Sequence, residues 1–146
     1  MIIRDQESSF EITLAEVDAP PAGTGDGHFR VKVAAHGFAG ENYVWVEAFD
    51  FHVFVDELVA LQRDGTGSAA LESMSPHELR IVARRLEKSD QEEDYAFEGE
   101  LRRTVFIHSR RRRVENRLVF VLDLDAADLA ETVAGFEQLR GEFPLP

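Results

Sequence analysis

Alternation of apolar and polar residues with a period of two recurs along most of this chain and constrains its fold more than any other feature. Residues 29–35 (FRVKVAA) are the clearest case. This period is typical of β-strands that bury one face and expose the other. Strands are predicted at residues 10–14, 29–35, 43–49, 79–83, 95–101 and 118–124, with a shorter one at 69–71. Residues 104–108 are predicted either to continue the strand of residues 95–101 or to start another.

Two stretches follow helical spacing instead. A central helix is predicted to begin at Asp50, with Val53, Phe54, Leu58 and Leu61 on its apolar face, and to end at Gly65 and Gly67. A C-terminal helix is predicted after Asp125, which we expect to cap it. Its apolar face comprises Leu129, Val133, Phe136 and Leu139, and Gly141 and Pro144 end it.

The connections between predicted strands are short, which determines how the strands pair. Parallel neighbours need a long crossover, so consecutive strands on short turns pair antiparallel. Gly37, Gly40 and Asn42 indicate one such turn. We therefore predict an α+β fold with a mostly antiparallel curved sheet or sandwich of about six to eight strands. Two helices, one central and one C-terminal, pack on it, and residues 1–146 form a single domain.

The chain lacks the sequence signatures of the common enzyme and metal sites. It has no cysteine, which excludes thiolate zinc sites, disulfides and cysteine nucleophiles. Its five histidines show no metal-binding spacing, and there is no nucleophile elbow, phosphate-binding loop or dinucleotide fingerprint. Asp123, Asp125 and Asp128 are interpreted as a helix start and not as a calcium loop. We predict no catalytic residues, no metal and no cofactor.

The net charge indicates the class of partner. The formal charge is −12 and the isoelectric point is about 4.8. Such a molecule repels nucleic acid and anionic membranes and attracts basic proteins. The alternative is that the negative charge serves solubility alone. The N-terminus turns polar at once, and no window approaches the roughly 18 apolar residues of a membrane span. We expect a cytoplasmic protein that binds neither membrane nor nucleic acid.

Charge is also segregated along the sequence. Residues 87–100 hold seven acids, whereas residues 102–117 hold seven arginines, four of them consecutive. Glu98, Glu100, Arg102 and Arg103 are predicted to pair across strands on one outer sheet face. The remaining charges are candidates for binding a partner, because like charges at a turn stay solvated. These candidates are Glu92, Glu93 and Asp94 in the acidic stretch, and Arg111 and Arg112 in the basic one.

Aromatic residues give a second candidate surface. Tyr43, Trp45 and Glu47 share one face of a predicted strand. If that face is open, Tyr43 and Trp45 suit an interface hot spot. The alternative is that both rings belong to the core, where tryptophan is usually mostly buried.

The order of several segments resembles that of a bacterial protein family. An aromatic-rich strand precedes a helix, a charged strand follows, and a last strand leads into a final helix. The segments are residues 43–49 (YVWVEAF), 56–61 (DELVAL), 78–83 (ELRIVA), 118–123 (LVFVLD) and 128–133 (DLAETV). Over residues 10–143 this order is similar to that of small immunity proteins of the WapI type and related uncharacterised domains. The resemblance implies a protein that binds and neutralises a partner toxin, or a domain of no known role.

Three hypotheses of function follow. The first is a non-enzymatic acidic binding protein of immunity type that blocks a basic toxin domain. The second is a ligand-binding protein or enzyme with a cavity between sheet and helix, lined by Tyr43, Trp45, Phe97 and Phe120, with His108 as a polar contact. The third is a homo-oligomer that associates through an exposed sheet edge or aromatic face.

Overall fold

The computed structural model describes residues 1–18, 23–75, 77–87, 94–143 and 145. It contains eight strands and two long helices in these residues. In chain order they are β1 (Ile2–Arg4), β2 (Ser8–Val17), β3 (Gly27–Ala35), β4 (Phe38–Val46), α1 (Ala48–Asp64), β5 (Ser68–Glu72), β6 (Leu79–Arg85), β7 (Tyr95–Ile107), β8 (Arg112–Leu124) and α2 (Ala126–Glu142). A short 3-10 helix at His108–Arg110 lies between β7 and β8.

The strands form two four-stranded antiparallel sheets, in the orders β1-β2-β3-β4 and β5-β6-β7-β8. Each strand pairs with its neighbour in sequence, as expected for short connections. The predicted α+β class, strand number and pair of helices are confirmed. At the β4 edge the two sheets are joined by hydrogen bonds: Asn42 Nδ2 donates to the Arg102 carbonyl at 2.7 Å, and the Met74 N–H donates to the Trp45 carbonyl at 2.8 Å.

The core lies between the two sheets and beneath the helices, and phenylalanine rings run through it. Between the sheets, the Phe10 ring lies 5.1 Å from that of Phe97. Phe136 of α2 then contacts both Phe97, at 6.3 Å, and Phe54 of α1, at 5.0 Å. All four rings have no exposed surface. Packed aromatic pairs of this kind stabilise a fold beyond the burial of their area alone.

The structure corrects the prediction around β4 and α1. Gly40 and Asn42 lie inside β4, and the turn before it is formed by His36 and Gly37, which have φ values of 49° and 84°. The strand ends at Val46, so the helix begins at Ala48 and not at Asp50. The alternation of residues 43–49 appeared to continue past Val46 because the first apolar residues of the helix happened to keep the same phase.

The start of β8 also differs, because the strand begins at Arg112, six residues before the predicted Leu118. Residues 104–107 continue β7, one of the two predicted possibilities, and α2 ends at Glu142, one residue past Gly141. Residues 88–93 of the acidic stretch lie outside the described residues, as does Pro144. No helix in the described part of the chain is long and apolar enough to cross a membrane.

The start of α2 is fixed by a reciprocal capping box, which confirms the predicted role of Asp125. Its Oδ1 accepts a hydrogen bond from the Asp128 N–H at 2.8 Å, and Asp128 Oδ2 accepts one from the Asp125 N–H at 3.4 Å. These bonds satisfy two of the donors that a helix start leaves open.

We expect Asp125→Ala to lower the free energy of unfolding by about 0.5–2 kcal/mol, because the Asp128 N–H loses its acceptor. Chemical denaturation measures this change. Asp125→Ser keeps an acceptor at the cap and should retain most of the stability. If Ala and Ser destabilise equally, the cap does not hold the helix start.

Candidate interaction surfaces

The β7–β8 hairpin places the acidic stretch of the sequence at one end and the arginine-rich stretch at the other. Both strands have 13 residues, which corresponds to about 40 Å of extended chain. At one end Ala96 is opposite Asp123; at the other, Arg102 is opposite Arg117. Because the strands are antiparallel, the acidic start of β7 lies beside the acidic end of β8, and arginines meet at the opposite end.

The acidic end of this hairpin comprises Asp5, Asp94, Asp123, Asp125 and Asp128. Asp94 directly precedes Tyr95 and Asp125 directly follows Leu124, and Tyr95 and Leu124 form the first residue pair of the hairpin, so both acids lie at this end. Asp5 joins them from the β1–β2 turn, where its Oδ2 accepts a hydrogen bond from the Asp123 N–H at 3.4 Å. Within the described residues, none of these five carboxylates has a cation within 4.0 Å. This end therefore presents carboxylates without an ion pair, and Arg4 is the basic residue that lines the same surface recess as Asp128.

Of the predicted acidic site, Asp94 lies among the described residues. Asp94 is half-buried and its carbonyl accepts a hydrogen bond from the Leu86 N–H at 2.8 Å. Glu92 and Glu93 lie outside the described residues. Asp5 was missed from the sequence because only tertiary packing brings it next to Asp123. Among the described residues no group of three or more histidine and carboxylate side chains is arranged to hold a metal ion.

The opposite end is a two-stranded arm, the arginine arm, formed by residues 102–117. The last residue pair between β6 and β7 is Leu79 with Leu101, so beyond that point β7 pairs with β8 alone. Arg111 turns the chain with a φ of 47°, and both Arg111 and Arg112 are exposed at the tip. The arm holds seven arginines and one glutamate, so a strongly basic element projects from an acidic molecule.

Cross-strand ion pairs hold the base of the arm. Glu100 pairs with Arg117 of β8, and Arg102 lies 3.5 Å from Glu115 of β8. Arg84 Nε of β6 lies 3.0 Å from Glu98 Oε1, and Glu100 also pairs with Arg102 within β7. The pairing predicted for Glu98, Glu100 and Arg102 on one outer face is therefore observed. The prediction for Arg103 is wrong, because the period of two directs its side chain to the other face. There its charge contributes to lowering the pKa of Glu41 in β4.

Tyr43 and Trp45 lie on the outer face of the first sheet, where they are 48% and 37% exposed. Placement in the core is excluded, because Val44 and Val46 fill that side of β4. Glu47 does not share the face; it precedes α1 as the N-cap residue.

The opposing strand completes this aromatic face, which consists of Tyr43, Trp45, His28 and Arg30. The His28 ring stacks parallel to Trp45 with centroids 4.6 Å apart, and the Arg30 guanidinium lies 6.0 Å from the Tyr43 ring centre. Arg30 Nε also lies 2.7 Å from Glu41 Oε1, and this hydrogen bond is the main reason that the pKa of Glu41 is lowered. The hairpin register that pairs His28 with Trp45 could have revealed these partners.

The hypothetical ligand cavity is not formed. Phe97 and Phe120 are buried against Phe10 between the sheets. Tyr43 and Trp45 face away from that core, and His108 lies at the tip of the arginine arm. The residues proposed to line one cavity therefore lie in three separate places, because alternation gives the faces of a strand but not which sheets face each other.

Comparison with family models identifies the chain. The model of the immunity protein WapI-like family matches residues 1–144. The chain belongs to this WapI-like immunity family. The match extends over both sheets and both helices, so the acidic end, the arginine arm and the aromatic face all lie within the family domain. No curated protein and no solved structure matches the chain.

Proposed function

We propose that this chain neutralises a cognate bacterial toxin by binding it without chemistry of its own, and that the acidic end is the main contact. Membership of the WapI-like immunity family is the observation that carries the proposal. The proposed site of action is the cytoplasm, where a chain without cysteine needs no oxidising conditions.

The choice of the acidic end rests on its charge. Many toxins act on nucleic acid or other anions, and their active surfaces are then basic. An inhibitor with a concentrated negative surface approaches such a target faster and orients itself by complementarity. Asp94 and Asp123 have no ion-pair partner among the described residues, so no internal pair must break before they meet a cation.

The aromatic face is the competing contact surface. Tyr43 and Trp45 are residue types enriched at interface hot spots, and both are partly exposed. However, each ring already has an internal partner, in Arg30 and His28 respectively. The experiment below therefore includes one variant on each surface.

We expect the purified chain to bind the toxin domain encoded beside its gene, with affinity that falls as salt rises. Asp94→Asn combined with Asp123→Asn should raise the Kd by about tenfold or more, because two charges at the contact are removed. Calorimetry at two salt concentrations measures both effects. Asp125 and Asp128 stay unchanged, because they cap α2.

The matched control is Glu57→Gln combined with Glu142→Gln, which changes net charge equally at two exposed positions on α1 and α2, outside the acidic end and the aromatic face. This variant should bind as the unmodified chain does. Equal loss in both double variants would mean that only net charge matters. If Trp45→Ala weakens toxin binding and the acidic-end variant does not, the contact lies on the aromatic face. If no complex forms at low salt, the proposed function is wrong.

A further inference from the structure

The open edge of β8 is the longest strand edge at the end of either sheet. β8 is the last strand of the second sheet and has 13 residues, whereas β1, β4 and β5 have 3, 9 and 5. The Asp123 N–H points away from β7 and donates to Asp5 Oδ2 at 3.4 Å, so the free part of the edge lies before Asp123. Because backbone groups alternate in direction, the N–H groups of Val121, Val119 and Arg117 point outward too. Such an edge is a template for another strand.

The outer face beside this edge is apolar where it is most open. Val119 is 60% exposed and Val121 is 43% exposed. They are opposite Glu100 and Glu98 in β7, which are occupied by arginine partners. A strand added at the edge would cover these two valines, which the monomer leaves in water.

Charge along β8 is ordered so that the strand complements itself. Arg112, Arg113 and Arg117 lie in its first half, and Asp123 lies near its end. Two copies related by a two-fold axis pair antiparallel, so the basic half of each strand lies along the acidic half of the other. Parallel pairing would instead place like charges together.

We propose that two copies of this chain associate through antiparallel pairing of their β8 edges, with the arginine arm of each lying against the acidic end of the other. A two-fold axis at Leu118 places Arg113 opposite the partner's Asp123 and Arg117 opposite the partner's Val119. In this register the outward N–H groups of Glu115, Arg117, Val119 and Val121 face outward carbonyl groups of the partner strand. The two copies of Val119 become diagonal neighbours, about 7–8 Å apart.

The same arrangement accounts for the consecutive arginines at the tip of the arm. Among the described residues, Arg110, Arg111, Arg112 and Arg113 have no carboxylate within 4.0 Å in the monomer. The acidic end lacks cations in the same way. Each copy therefore holds both halves of an electrostatic contact that it cannot close within itself, because about 40 Å of strand separates them.

This inference goes beyond the proposed toxin binding. A basic toxin would compete with the partner's arm for the same carboxylates, so the dimer is the expected state in the absence of toxin. The test uses the full chain alone. Its failure would leave toxin binding untouched, and Arg113 lies outside the proposed toxin contact.

We expect sedimentation equilibrium of the full chain to show a reversible dimer that weakens with salt. Arg113→Asp and Asp123→Arg should each raise the dimer Kd by about tenfold or more, because each places like charges opposite each other twice per dimer. The double variant reverses the pair and should restore the Kd to within about threefold of the original. Hydrogen exchange at the Val119 amide should slow as protein concentration rises.

The control is Arg63→Asp, which makes the same charge change at an exposed position at the end of α1. It should leave the Kd unchanged. A monomer at submillimolar concentration, with Val119 exchange independent of concentration, overturns the proposal. If the dimer Kd is unchanged in both single variants and in the double variant, the chains associate through another surface. That result also overturns the proposal.

Discussion

Replacing Phe136 by alanine should lower the free energy of unfolding by about 3–5 kcal/mol, the usual cost of emptying a large buried aromatic site. The Phe136 ring has no exposed surface and contacts Phe51, Phe54 and Phe97 at 6.1, 5.0 and 6.3 Å. These partners belong to α1 and to the second sheet. The cavity would therefore open where both helices meet the sheets, and the surrounding layers cannot all close on it.

Urea denaturation followed by tryptophan fluorescence and by circular dichroism measures this loss, since both report the same transition in a two-state domain. Phe49→Ala is the matched control, because Phe49 is 67% exposed at the start of α1. It should change stability by no more than about 0.5 kcal/mol. Similar losses for Phe49 and Phe136 would show that the two helices do not share the described core.

Adding a single methyl group at Gly99 is expected to be the second most damaging change. A Cβ at this position in β7 would collide with the Arg80 backbone oxygen and lie 2.9 Å from Phe120 Cζ. The oxygen belongs to the neighbouring strand, so relief requires a shift of the β6–β7 pairing and not only a side-chain rotation. We expect Gly99→Ala to cost about 1–3 kcal/mol.

Gly141→Ala provides the control, because a Cβ there meets no atom within 4 Å. Gly141 lies in α2, where alanine is favoured over glycine by up to about 1 kcal/mol. That variant should be neutral or slightly more stable in the same denaturation measurement. A neutral Gly99→Ala would mean that the two strands are not packed as closely as described.

Local sequence signals predicted most of the secondary structure. Alternation marked β3 and β7, because their inward residues are apolar and their outward residues are charged. The helical spacing of Phe54, Leu58 and Leu61 marked α1, and Asp125 marked the start of α2. These signals are reliable because each depends on residues within one or two turns of chain.

The errors arose where a strand lacks alternation or where alternation continues past the end of a strand. Residues 38–42 start β4, yet Phe38 and Ala39 are both exposed, so no alternation marks the strand. Past Val46, the alternation continues into the first turn of α1 by coincidence. The arm was likewise divided into pieces, because both faces of a two-stranded arm are solvated and its residues need not alternate.

The sequence by itself determined the two helices, most of the strands and the order of charge along β7 and β8. Antiparallel pairing of β7 with β8 then separates the acids from the arginines. The charge order and the pairing both follow from residues that are close in sequence. Only the tertiary structure decided that Tyr43 and Trp45 face solvent and that Asp5 joins Asp123. Period-two alternation divides a strand into two faces, but contacts between residues far apart in sequence decide how the sheets pack and which turns meet.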